Sequence, residues 1–214
     1  MRHQIWVVVV AADDGQGAGH SLSAPALLQE QLDRAAALAR RPRICVVVTQ
    51  EQRLRLEDPL WFLPASNVFA QPDNIGTAHG ILLALLRISE CDSDARVMLL
   101  PSTQRVRDEG SFIASLLSAA ADAASKPENV FVVHLEPDAT HTAIVVGPAH
   151  ALLRLFEPEL VAVMREIVER VPDARSDPLV AAGFLERLSL PYLDFHRHVL
   201  PRARHRPDPK IVGS

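Results

Sequence analysis

The chain has 214 residues, 48 % of them hydrophobic and 22 % charged. That is long and apolar enough to bury a core without metals or disulfides, and it excludes disorder along the whole length. A net charge of −4 argues against a nucleic-acid footprint over the whole chain, and two cysteines, Cys45 and Cys91, exclude a disulfide framework.

Ile5 to Ala11 is a continuous, largely β-branched run, the pattern of a strand covered on both faces. The apolar stretch Val7–Ala12 is far shorter than the ~20 residues of a membrane helix. It is followed by no convincing cleavage site, so a cytoplasmic protein without membrane contact is expected. Asp13 to Gly19 is a loop by composition. Pro25 to Arg40 reads as a helix with Leu27, Leu28, Leu32, Ala35, Ala36 and Ala39 along one stripe and Ser23 as N-cap.

The unit then recurs. Strands are expected at Arg43–Thr49, Asn67–Ala70, Ala95–Leu100 (stopped by Pro101), Asn129–Leu135 and Thr142–Val146. Helices are expected at Gly76–Ser89, at Asp108–Ser125, and at Pro148–Arg170 with an interruption near Pro158. Strands alternating with helices predict a three-layer α/β/α domain with a mostly parallel sheet, spanning residues 1–200. From His196 to Lys210 there are four Arg, one Lys, three His and three Pro against one acid, Asp208. Residues 201–214 therefore read as a basic, Pro-containing tail, either a solvated, flexible arm or an arm for polyanions built on Arg197, Arg202, Arg204 and Arg206.

Candidate chemistry is sparse. Gly15-x-Gly17-x-Gly19 sits between a strand and a helix, where glycines let backbone N–H groups close on a phosphate. A dinucleotide fingerprint would place Gly at His20 and an acid nearer than Glu51, so a flexible loop or another kind of phosphate loop fits better. His196-x-His198 has the spacing of two metal ligands on a strand, but no Cys cluster or HExxH helix accompanies it, and no metal site is expected. His134 and His141 are isolated, and Ser102 and Ser111 lack a nucleophile elbow, so no catalytic residue is assigned. The most specific segment is Gln71-Pro72-Asp73-Asn74-Ile75-Gly76-Thr77-Ala78-His79-Gly80, at a strand-to-helix junction where α/β proteins bind ligands. Either Gly76-Thr77 merely starts the helix, or Gln71 and the turn offer donors and acceptors to a nucleobase.

This segment resembles the Q-P-x-N-(R/K)-G-T-A-P motif of the sugar-1-phosphate nucleotidyltransferases, most closely the bacterial mannose-1-phosphate guanylyltransferases. Ala95–Ser102 is similar to the family's D-A-x-V-x-x-L-P-S-D-H strand and Val106-Arg107-Asp108-Glu109-x-x-Phe112 to V-x-D-E-x-x-F. Leu28–Ala36 resembles L-x-x-x-T-L-D-R-A-A, and Tyr192–Leu200 resembles I-D-F-S-R-D-V-L. The resemblance implies a nucleotidyltransferase-like fold. It also implies a nucleotide site in which Gly15 matches the phosphate loop and Gln71, Gly76, Thr77 and Ala78 match the base-recognition positions.

The departures fall where the chemistry lies. Asp13 stands at a loop position the family gives to Gly, Gly17 where it places Arg, and Thr103 where it places the Mg²⁺-holding Asp. The family's P-K-Q-F lysine, the long insert with E-K-P between Pro137 and Ala143, and the closing G-W-x-D-L-G have no counterpart. Phosphoryl transfer rests on charge neutralisation and positioning. The resemblance therefore implies a degenerate homologue that binds guanine nucleotide weakly and acts alone, with a second copy, or with an active paralogue. An active nucleotidyltransferase using non-standard residues, with Mg²⁺, is the alternative.

Overall fold

The computed structural model describes residues 5–11, 24–55, 60, 62–72, 75–102, 106, 108–134, 143–170, 183, 185–188, 190–203 and 210–211. Its strands are β1 (Ile5–Val10), β2 (Ile44–Thr49), β3 (Val68–Gln71), β4 (Arg96–Pro101), β5 (Phe131–His134), β6 (Ile144–Pro148) and β7 (Lys210–Ile211). Its helices are α1 (Ala24–Leu38), α2 (Gln50–Arg55), α3 (Ala78–Cys91), α4 (Glu109–Ser125), α5 (Ala149–Leu153) and α6 (Pro158–Arg170). The seven strands form one sheet in the order β3-β2-β1-β4-β6-β5-β7, with β6 antiparallel to both of its neighbours and every other pairing parallel.

Alternation along the strands divides the core into two layers. Val7, Val9, Ile44, Val46, Val48, Met98 and Leu100 face α1 and α4. Trp6, Val8, Cys45, Val47, Val97, Leu99 and Val145 face α3, α5 and α6. This is the three-layer, mostly parallel architecture that the alternation of elements predicts. It also explains why β1 and β2 read as unbroken apolar runs: both faces are covered.

Several boundaries differ from the expected ones for local reasons. Gly76 has φ +79°, outside any helix, so α3 starts at Ala78. Pro101 is the last residue of β4 rather than its stop. Pairing with β6 ends at Leu99↔Val145, so on that side no N–H is needed from the proline. Pro148 likewise closes β6 with extended backbone (φ −62°, ψ 143°), so the helical stretch starts at Ala149, and the interruption expected near Pro158 separates α5 from α6. On α1, Ala36 is exposed and Leu38 is buried, a stripe rotated slightly from the expected one. The N-cap assigned to Ser23 lies outside the described residues.

Two of the motif segments meet across one face of the sheet. Arg34 of α1, its side chain only 7 % exposed, forks onto Glu109 of α4 through Nε (2.9 and 3.0 Å) and Nη2 (2.6 Å) and lies over the Phe112 ring. Asp108 caps α4 by accepting from the Ser111 hydroxyl (2.7 Å) and N–H (3.1 Å), and these bonds hold its carboxyl below the usual carboxylate range.

The basic tail is not wholly the free arm expected from residue 201. Lys210–Ile211 pairs parallel to Val133–His134, because the outer edge of β5 presents backbone donors and acceptors with no other strand beside them. Arg204 and Arg206 lie outside the described residues, whereas Arg202 pairs with Glu157 at 2.8 Å.

Candidate functional site

The carboxyl ends of β1, β2, β3 and β4 share one rim of the sheet. Ala11 donates its N–H to the Val47 carbonyl (2.8 Å) and Ser102 donates its own to the Val10 carbonyl (2.9 Å), which fixes where the chain leaves β1 and β4. At the end of β2, Thr49 and Gln52 form a reciprocal cap. The Thr49 hydroxyl accepts from Gln52 N–H (3.1 Å) and Gln52 Oε1 accepts from Thr49 N–H (2.9 Å). Gln52 Nε2 then donates to the Ala11 carbonyl at 2.7 Å, tying α2 to β1. The Thr-x-x-Gln spacing was the readable signal for this cap. Glu51 is exposed on α2 and pairs with Arg55 at 2.5 Å.

The turn after β3 is built by Gln71. Its side chain is 2 % exposed, and its carboxamide closes a bracket: Nε2 donates to the Gly76 carbonyl at 2.5 Å and Oε1 accepts from the Gly80 N–H at 2.8 Å. The second bond satisfies one of the orphan donors at the start of α3. Gly76 supplies the left-handed φ, and a Cβ there would overlap the Leu193 backbone. Thr77 is the N-cap of α3, yet its hydroxyl makes no cap bond; it reaches Asp194 instead. Ala78 is fully buried. The structure thus brings four of the five expected site residues, Gln71, Gly76, Thr77 and Ala78, together on the carboxyl rim, each with an architectural task. The fifth, Gly15, lies outside the described residues with Asp13, Asp14, Gly17 and Thr103.

The partner of this turn is the segment around Asp194, a residue that spacing alone does not single out. Asp194, 1 % exposed, caps one π-helical turn (Phe195–Val199) by accepting from Arg197 N–H at 2.7 Å. His196-x-His198, whose spacing would suit two ligands on a strand, lies on this helical turn. His196 Nε2 lies 2.9 Å from the Ala143 carbonyl, and His198 Nδ1 accepts from the Asp194 N–H at 3.0 Å. An Asp cap outweighs the local alternation here. Among the described residues no group of three His, Cys, Asp or Glu side chains is arranged to hold a metal.

His79 is the odd member of the turn. It is fully buried in the first turn of α3, and neither ring nitrogen makes a well-formed hydrogen bond. Burial lowers its pKa, opposed by the Ile75 backbone, so the folded state keeps the ring neutral. The unfolded chain takes up a proton at the ordinary value near 6.5. Stability is therefore complete above that pH and declines as pH falls toward the depressed folded value. Wild-type protein is expected to lose thermal midpoint between pH 7.5 and 5 more steeply than His79→Leu; equal slopes would refute this assignment. Cys45, buried in β2, has its thiol pushed far above the ordinary range by burial and is no nucleophile.

No family model and no curated protein matches the chain. Solved structures do. Mannose-1-phosphate geranyltransferase from Thermus thermophilus superposes with a TM-score of 0.68 at 17 % identity, over 96 % of this chain and 73 % of that one. Mannose-6-phosphate isomerase from Helicobacter pylori superposes with a TM-score of 0.61 at 12 % identity, over 99 % of this chain and 98 % of that one. This chain has a nucleotidyltransferase-like fold. At these identities the likeness is one of fold. In the nucleotidyltransferase-like frame, the Gln71–Ala78 turn occupies the carboxyl rim of the parallel strands, where open α/β sheets bind ligands. Among the described residues no helix is long and apolar enough to cross a membrane.

Proposed function

We propose that the chain is a degenerate mannose-1-phosphate guanylyltransferase-like protein that binds a guanine nucleotide weakly and does not turn it over. The observation that carries binding is the Gln71–Ala78 turn, held in one shape on the carboxyl rim by two hydrogen bonds from a single buried carboxamide. In this reading Gln71, Gly76, Thr77 and Ala78 shape the base end of the site and Gly15 lies at its phosphate end. The two solved structures described above carry a mannose phosphate in their names, which favours that sugar class over others. Loss of turnover is supported by the residues themselves: Asp13 and Asp14 repel a triphosphate, Gly17 offers it no cation, and Thr103 has no carboxylate for Mg²⁺.

A fold of this kind without turnover serves by binding, as a partner of a second copy or of an active paralogue. Two or three neutral hydrogen bonds at roughly 1 kcal/mol each, together with base stacking, give a Kd no better than about millimolar to high micromolar. Guanosine, GMP and GTP are expected to titrate alike, with or without Mg²⁺. Incubation with GTP, mannose-1-phosphate and Mg²⁺ is expected to release no pyrophosphate above a protein-free blank. Sustained release would establish an active nucleotidyltransferase using non-standard residues and overturn the proposal.

A further inference from the structure

We infer that the segment around Asp194 is a clamp that sets the shape of the 75–78 turn, so that the candidate nucleotide site is assembled from two parts of the chain 117 residues apart. Leu193 grips the turn from both sides: its N–H donates to the Ile75 carbonyl (2.8 Å) and its carbonyl accepts from the Ala78 N–H (3.0 Å). The Thr77 hydroxyl is used twice, donating to Asp194 Oδ2 at 3.3 Å and accepting from the Phe195 N–H at 3.0 Å. The Asp194 carboxylate therefore sits against the first residues of two helical segments, α3 and the turn Phe195–Val199, where backbone dipoles favour negative charge. Asp194→Ala strands both the Thr77 hydroxyl and the Arg197 N–H, whereas an amide keeps both contacts, its oxygen accepting from Arg197 N–H and its NH₂ donating to the Thr77 hydroxyl.

The clamp is held from below and open above. Phe195 and Val199 are buried in the layer beneath α3, with the Phe195 ring 6.0 Å from that of Phe156. Tyr192, Arg197 and His198 are exposed on the outer side. Apolar anchors thus keep the segment in place while polar bonds alone register it on the turn, so a polar substitution uncouples shape from anchorage.

The test is amide hydrogen exchange, read by NMR, on the full chain and on Asp194→Ala, Thr77→Val and Thr77→Ser. Losing a bond to a charged group is expected to lower protection at Ala78 and Phe195 at least about tenfold in Asp194→Ala and Thr77→Val, with β1 and β2 amides unchanged. Thr77→Ser keeps the hydroxyl and is expected to keep the protection. Unchanged protection at Ala78, or an equal loss across the whole sheet, would overturn the clamp. Guanosine titrations of the same proteins read the coupling, which rests on the nucleotide reading: affinity is expected to fall in parallel with protection. A wild-type protein that ignores guanosine refutes the nucleotide reading alone, and the exchange result still decides the clamp.

Discussion

Gly76→Ala is expected to destabilise the protein by about 2–5 kcal/mol, measured by urea unfolding. The left-handed backbone at φ +79° costs an L-residue roughly 1–2 kcal/mol. The added Cβ then overlaps the Leu193 carbonyl and carbon, which are backbone atoms that no rotamer change can move. Relieving that overlap means shifting a segment that holds two backbone hydrogen bonds to the same turn, an overpacking cost of about 1–3 kcal/mol. A loss below about 1 kcal/mol would show that the 193–195 segment gives way freely, against the geometry described for it.

Gln71→Ala is expected to cost about 2–5 kcal/mol, because one substitution strands two buried backbone groups. The Gly76 carbonyl loses its donor and the Gly80 N–H loses its acceptor, at about 1–3 kcal/mol each. Gln71→Glu separates the two bonds. A carboxylate still accepts from Gly80 N–H but faces the Gly76 carbonyl with a lone pair, so the variant is expected to be as unstable at pH 7 and to recover as acid protonates it. Thermal unfolding of both variants from pH 4 to 8 checks this. An Ala variant as stable as wild type would remove Gln71 from its bracket.

Much of this fold was legible because its central strands are covered on both faces. Ile5–Val10 and Ile44–Thr49 are apolar along their length, and only a sheet between two helical layers hides both sides of such strands. The boundaries were less legible where a proline or glycine carried the decision. Pro101 and Pro148 end strands because backbone pairing on one side has already stopped, a fact about neighbours rather than about the local sequence.

The candidate site was legible as a motif but not as a geometry. The Gln71–Ala78 residues could be singled out from spacing and resemblance, yet nothing local said that Gln71 turns inward to bracket its own turn. Nor could it say that Thr77 bypasses its cap to reach Asp194, since that partner lies far along the chain. The helical turn Phe195–Val199 carries a local signal in Asp194, which accepts from the N–H three residues on as an N-cap does. The Arg34–Glu109 fork joins two recognisable motifs whose meeting only the three-dimensional arrangement shows.

The position of β1 between β2 and β4 has a consequence for synthesis. β1 is made first, but its second neighbour is the segment Arg96–Pro101. At about 5–20 residues per second, the ribosome takes roughly five to twenty seconds to deliver that partner. Throughout that interval Ile5–Val10 is an apolar strand with at least one bare edge, the kind of segment that pairs with whatever strand is offered. A nascent chain arrested between Thr49 and Arg96 therefore presents an apolar strand unpaired on one side. Slowing translation within residues 50–95 is expected to lower soluble yield more than slowing it after residue 101.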